Sequence, residues 1–126
     1  MVRKRLFRLR AILLALLVSG ALVAVTAAPA EAVSGGGCRG GTITACISYN
    51  APYIVGDAYF YGDTEACGHT VEIYDSFGRR MAYQGYRYCN YGWNPGVIWV
   101  PDHHGTYETV ACFDNYGCNY SYWLYY

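Results

Sequence analysis

The stretch Cys67-Gly68-His69-Thr70-Val71-Glu72-Ile73-Tyr74-Asp75-Ser76-Phe77-Gly78 decides the fold class. From Thr70 to Asp75, apolar and polar residues alternate with period two. Val71 and Ile73 point one way; Thr70, Glu72 and Tyr74 point the other. That is the pattern of a strand with one buried face. Ser76-Phe77-Gly78 then supplies a hairpin turn, and Met81 to Cys89 is read as the returning strand.

The same grammar extends in both directions from this hairpin. Ser34 to Gly41 is a glycine-rich lead-in. Thr42 to Tyr49 reads as a strand with Ile43, Ala45, Ile47 and Tyr49 on one face, and Asn50-Ala51-Pro52 breaks it. Ile54 to Tyr61 follows, with Ile54, Ala58 and Phe60 facing one way and Asp57, Tyr59 and Tyr61 the other; Gly62-Asp63 turns the chain. Asn94-Pro95-Gly96 is expected to turn. Val97 to Val100 is a continuous apolar run and is expected to form a central strand. Pro101 to Gly105 is the next turn, Thr106 to Phe113 a strand, Asn115-Tyr116-Gly117 a turn, and Asn119 to Tyr126 a last aromatic strand. No helical periodicity interrupts the series. Seven short strands with links too short for crossovers predict a small antiparallel β-sandwich.

The N-terminus reads differently. Arg3, Lys4, Arg5, Arg8 and Arg10 precede the uncharged run Ala11 to Ala24, and Ala28-x-Ala30 and Ala30-x-Ala32 offer small-x-small cleavage sites. This is the layout of a secretory signal peptide over residues 1–32. The apolar run is short for a transmembrane span, and Cys38 lacks the context of a lipid anchor. The reading implies a secreted, extracellular domain over residues 33–126 with no membrane anchor after cleavage. The alanine- and arginine-rich leader suits a high-GC actinobacterium.

Within residues 33–126, four arginines face eight carboxylates and there is no lysine, a balance of about −4. Nucleic-acid binders carry a basic patch, so that class is disfavoured. All six cysteines, at 38, 46, 67, 89, 112 and 118, fall in this part. An even number in a short secreted chain reads as a disulfide framework rather than a metal site, with fifteen possible pairings. All 15 tyrosines lie here too, with Trp93, Trp99 and Trp123. A domain of this size cannot bury them all, and exposed tyrosines provide rigid contact area with a hydroxyl for hydrogen bonding.

Catalytic signatures are missing. No nucleophile elbow, phosphate loop or zinc-protease motif occurs, and disulfide formation consumes the thiols. Asp102-His103-His104 reads as a polar hairpin tip between Pro101 and Gly105, and His69 as a surface residue at a strand start. Neither a metal nor a cofactor is expected.

Three stretches resemble the tendamistat-like proteinaceous α-amylase inhibitors: Cys46-Ile47-Ser48-Tyr49, Cys67-Gly68-His69-Thr70-Val71-Glu72-Ile73, and Cys89 with Pro95-Gly96-Val97-Ile98 and Val110-Ala111-Cys112-Phe113. The resemblance implies a six-stranded sandwich of immunoglobulin-like or tendamistat-like type. It also implies pairing of Cys46 with Cys67 and Cys89 with Cys112, which leaves Cys38 with Cys118. Where that family places a Trp-Arg-Tyr triplet, this chain has Tyr53-Ile54-Val55. Tyr53, Tyr59 and Tyr61 are the candidate contact aromatics of the segment. The function expected first is therefore a monomeric, non-enzymatic binder or inhibitor of an extracellular protein, a glycoside hydrolase such as α-amylase among the candidates. The second is a polysaccharide- or cell-wall-binding module with a row of Tyr120, Tyr122, Trp123 and Trp93. The third is a small hydrolase using His103 or His104 beside carboxylates.

Overall fold

The computed structural model describes residues 33–126; the signal-peptide reading lies outside the described residues. The chain forms ten strands: β1 Ser34–Gly35, β2 Gly37–Gly40, β3 Ile43–Asn50, β4 Tyr53–Phe60, β5 His69–Asp75, β6 Arg80–Tyr86, β7 Gly92–Trp99, β8 Thr106–Phe113, β9 Gly117–Tyr120 and β10 Leu124–Tyr125. Sheet A runs β1-β10-β8-β5-β6, with β9 also paired to β8; sheet B runs β2-β3-β4-β7. Every pairing is antiparallel. The protein is thus a small disulfide-stapled all-β sandwich. Its strand count exceeds seven because the glycine-rich lead-in contributes β1 and β2, and the last expected strand divides into β9 and β10.

Alternation builds the core, as the sequence predicts for β3, β4 and β5. Val71 and Ile73 of β5, Ile43, Ala45 and Ile47 of β3, Ile54, Ala58 and Phe60 of β4, and Tyr107, Ala111 and Phe113 of β8 are buried between the sheets. They form two clusters, one around Phe60 and Phe113, the other around Ile47, Ile54, Ile73 and Tyr107. Phe60 stacks on Phe113 at 4.4 Å between centroids. Burying a large apolar side chain contributes about 1.5–3 kcal/mol. The β5–β6 turn is fixed by Asp75, whose Oδ1 accepts the N–H groups of Phe77 and Arg79 and whose Oδ2 accepts Arg79 Nε at 2.6 Å. Gly78 supplies the left-handed φ of +76° that closes this turn.

Four expectations need correction. The disulfides are Cys38–Cys46, Cys67–Cys89 and Cys112–Cys118, not Cys46–Cys67, Cys89–Cys112 and Cys38–Cys118. Strand register is the physical reason. Cys38 lies opposite Cys46 on β2 and β3, and Cys112 lies opposite Cys118 on β8 and β9, so each finds its partner within one hairpin. Cys67–Cys89 is left to tie the segments flanking the β5–β6 hairpin, with both sulfurs in the core. Next, Asn94-Pro95-Gly96 is not a turn but a bulge inside β7. Gly56 pairs Val97 and Ala58 pairs Asn94, so Pro95 and Gly96 together oppose Asp57. Third, β7 is an edge strand, not a central one; Val97 packs inward while Ile98 is 67% exposed. Proline on an edge costs no ladder hydrogen bond and blunts pairing with other chains. Last, His69 is buried, only 2% exposed, because it shares the inward face of Val71 and Ile73.

Candidate functional site: the outer face of sheet B

Period two along β4 places Tyr53, Val55, Asp57 and Tyr59 on the side away from the core, since Ile54, Ala58 and Phe60 between them are fully buried. Tyr61 continues the line just past the strand end and is 50% exposed. The three tyrosines singled out in the sequence therefore share one face. Strand β7 adds neighbours to them. Trp93 pairs with Tyr59, and Ile98 pairs with Val55. The outcome is a stripe of aromatic and aliphatic groups along the outer face of sheet B, with Tyr91 leaning edge-on against Tyr61 at 5.5 Å. Exposed apolar groups that gather in one patch mark interaction surfaces, whereas scattered ones need no explanation.

The stripe has few polar groups, and the central one is already engaged. Asp57 Oδ2 accepts the indole N–H of Trp93 at 2.6 Å. This bond fixes the indole orientation before any partner arrives, which lowers the ordering cost of binding.

Tyr91 and Trp93 sit on a segment, residues 88–95, that is anchored from behind. The buried His69 ring reaches both of its ends: Nδ1 lies 2.7 Å from the Tyr88 carbonyl and Nε2 lies 3.0 Å from the Pro95 carbonyl. Either neutral tautomer donates to one of these, and the doubly protonated ring donates to both. Tyr86 and Phe113 stack on the two faces of the ring, at 4.7 and 5.0 Å. The next bulge carbonyl, Gly96 O, accepts the Tyr86 hydroxyl at 2.8 Å. Burial raises the Tyr86 phenol above its ordinary pKa, with the neighbouring Tyr88 acting the same way. Inside the segment, the buried Asn94 amide accepts the Asn90 N–H and donates to the carbonyls of Asn90 and Gly92. Cys67–Cys89 ties its start to the core. The presenting segment is therefore held by backbone-directed bonds that leave Tyr91, 72% exposed, and Trp93, 53% exposed, facing outward.

Sequence reading missed this role for Tyr91 and Trp93. The sequence groups Trp93 with Tyr120, Tyr122 and Trp123 as a candidate aromatic row. Tyr120 instead lies on β9, on the outer face of sheet A, while Trp93 is on sheet B, so no single row joins them. The signal that could have found the pair is the run of turn-formers Asn90, Gly92, Asn94 and Pro95 directly after Cys89, which brackets two large aromatics.

The other residues singled out as candidates are arranged for structure. Asp102 contacts His103 Nδ1 on an exposed tip, where the hydrogen bond from His103 is the main cause holding the Asp102 carboxyl below its ordinary range. Tyr107 donates to the His103 carbonyl at 2.9 Å, and His104 stacks on Tyr126. Among the described residues, no three of His, Cys, Asp and Glu gather as a metal-binding group, and no helix is long and apolar enough to cross a membrane. Three disulfides in a domain of this size are compatible with an extracellular protein. Compared with known proteins, the chain matches no family model, no curated protein and no solved structure.

Proposed function

We propose that this is a secreted binding protein that docks the outer face of sheet B onto another extracellular protein, and that an extracellular hydrolase is the class of partner to test first. The observation that carries the reading is the continuous stripe Tyr53, Val55, Tyr59, Tyr61, Trp93 and Ile98, with Tyr91 at its end. Its one carboxylate, Asp57, is already engaged by the Trp93 indole. Such composition supports a protein partner, whose interface cores are poor in charge and rich in Tyr and Trp. Tyr53, Tyr59 and Tyr61, the aromatics of the segment that resembles the contact segment of α-amylase inhibitors, all lie in this stripe, although the disulfide pairing which that resemblance implies is not the one formed. The stripe lies flat on a sheet rather than in a cleft, consistent with a ligand surface presented to a partner's groove.

The test is inhibition of purified secreted hydrolases, α-amylase first, by the fully disulfide-bonded protein. Stoichiometric loss of one enzyme's activity, relieved by Tyr59→Ala or Trp93→Ala and retained by Tyr122→Ala, supports the proposal. Relief by Tyr122→Ala with none at Tyr59 or Trp93 refutes the assignment of this face.

A further inference from the structure

The outer face of sheet A differs in chemistry from that of sheet B. Outward positions carry Thr70, Glu72 and Tyr74 on β5, Glu108, Val110 and Cys112 on β8, and Cys118 and Tyr120 on β9. Between these strands opens a cleft of about 420 Å³, within the size range of small-ligand sites. Its floor is Val110 and the Cys112–Cys118 bridge, and its walls include Tyr74, Tyr120, Glu72 and Glu108. Glu72 faces Val110 and Tyr74 faces Glu108 across the ladder. The two carboxylates are therefore diagonal neighbours, about 7–8 Å apart at the backbone.

The two acids are in different states. Glu72 Oε2 accepts the Tyr74 hydroxyl at 2.6 Å and approaches Arg80 Nη1 at 3.5 Å. The Glu108 carboxylate has neither a hydrogen bond nor an ion pair within 4 Å among the described residues. Burial pushes its carboxyl above the ordinary range, and Arg39 pulls weakly the other way from a distance. A half-buried acceptor without a donor, in a cleft walled by tyrosine rings, is completed by a ligand that brings a cation or N–H donors together with an apolar face.

We propose that this cleft binds an amino-sugar unit carrying a free ammonium group. The ammonium sits between Glu72 and Glu108, and the C–H face of the pyranose lies on the ring of Tyr120. Charge complementarity favours it, given the excess of four carboxylates over arginines in residues 33–126. The two central strands of the cleft offer no free edge to an extended basic peptide, because β5 and β8 are each paired on both sides. A second cavity of about 460 Å³ opens on the same sheet and is lined by Thr70, Gln84, Gly85 and Arg87. It offers hydroxyl, amide and guanidinium groups to further units of a saccharide chain.

The test is calorimetric titration of the full-length, disulfide-bonded protein with a chitosan tetramer. The fully N-acetylated tetramer and acetyl-arginine amide serve as comparisons. The expected result is binding of the chitosan tetramer at least tenfold tighter than either comparison. Glu108→Gln and Tyr120→Ala each weaken it tenfold or more, and Glu65→Gln, on a remote loop, leaves it unchanged. Glu108→Gln preserves the size of the side chain, and an unfolding midpoint equal to the parent's shows that its loss of binding is not a loss of fold. Trp93→Ala leaves the titration unchanged, which separates this site from the sheet B face. Absence of chitosan binding, equal binding of the acetylated tetramer or of acetyl-arginine amide, or full affinity in Glu108→Gln overturns the proposal.

Discussion

Replacing His69 by phenylalanine isolates what its two nitrogens contribute. The ring stays aromatic, so the stack with Tyr86 and Phe113, at 4.7 and 5.0 Å, is retained. Lost are the contacts to the carbonyls of Tyr88 and Pro95, at 2.7 and 3.0 Å. These carbonyls lie against a side chain that is 2% exposed, so water does not readily replace the donor. An orphaned buried acceptor costs about 1–3 kcal/mol, and a neutral ring donates to one of the two carbonyls, so the variant is expected to lose about 1–3 kcal/mol. For a domain of this size each kcal/mol lowers the melting temperature by about 4–8 °C, which gives a fall of roughly 4–24 °C. The assay is reversible urea unfolding with disulfides intact, followed by near-ultraviolet circular dichroism. Trp93 sits on the released segment, so its band is expected to broaden in the folded variant. A His69→Phe protein within about 0.5 kcal/mol of the parent, the usual range of neutral surface substitutions, refutes the reasoning that His69 anchors residues 88–95.

Other consequences are as direct. Peptide mapping without reduction is expected to recover Cys38–Cys46, Cys67–Cys89 and Cys112–Cys118; a Cys46–Cys67 peptide contradicts the register of β2 on β3. Replacing Cys67 and Cys89 by alanine opens a link with a sequence separation of 22 residues, and chain entropy sets the loss at about 3 kcal/mol by thermal or denaturant unfolding. Gly96→Ala is expected to destabilise by about 3 kcal/mol or more, because a Cβ there would stand 1.7 Å from the Gly56 carbonyl oxygen; an unchanged melting temperature contradicts the bulge. Burial works to raise the Asp75 carboxyl, but hydrogen bonds from Arg79 and Phe77 outweigh it and hold the pKa below the ordinary 3.8. A depressed carboxylate stabilises above its unfolded pKa and loses that contribution as pH falls through the folded one. Asp75→Asn should therefore narrow the stability difference between neutral and strongly acidic solution, and an unaltered pH profile contradicts this role.

Much of the fold was readable because its determinants are local. The facing of β3, β4 and β5 follows from alternation alone, and Thr106–Phe113 is a strand with the expected bounds. The same alternation put Asp57, Tyr59 and Tyr61 on the outward face, with Tyr53 two periods further back along it. What escaped depends on pairing between strands. Cys38 and Cys112 meet their partners through hairpin registers that spacing alone does not reveal. Pro95 and Gly96 read as a turn because the dipeptide favours one; tertiary pairing with Gly56 and Ala58 makes them a bulge instead. The apolar run Val97 to Val100 suggests a central strand, yet Ile98 is exposed because it lies on the outward face of the edge strand β7. His69 reads as a surface residue from its place at a strand start, but its parity with Val71 and Ile73 puts it inside. The role of Tyr91 and Trp93 rests on a segment held by long-range bonds from His69, Tyr86 and Asp57, none of them local in sequence.

The claim that the outer face of sheet B is the docking surface is tested most directly by the affinity of the captured partner for Trp93→Ala. Trp93 stands in the stripe beside Tyr59, and its indole is held by Asp57. A tryptophan anchor in an interface costs about 2 kcal/mol or more on truncation, a loss of about thirtyfold in affinity. With the parent and the variant equally folded, the account predicts that loss in the dissociation constant measured on an immobilised partner. A Trp93→Ala protein that binds its partner as tightly as the parent contradicts the account.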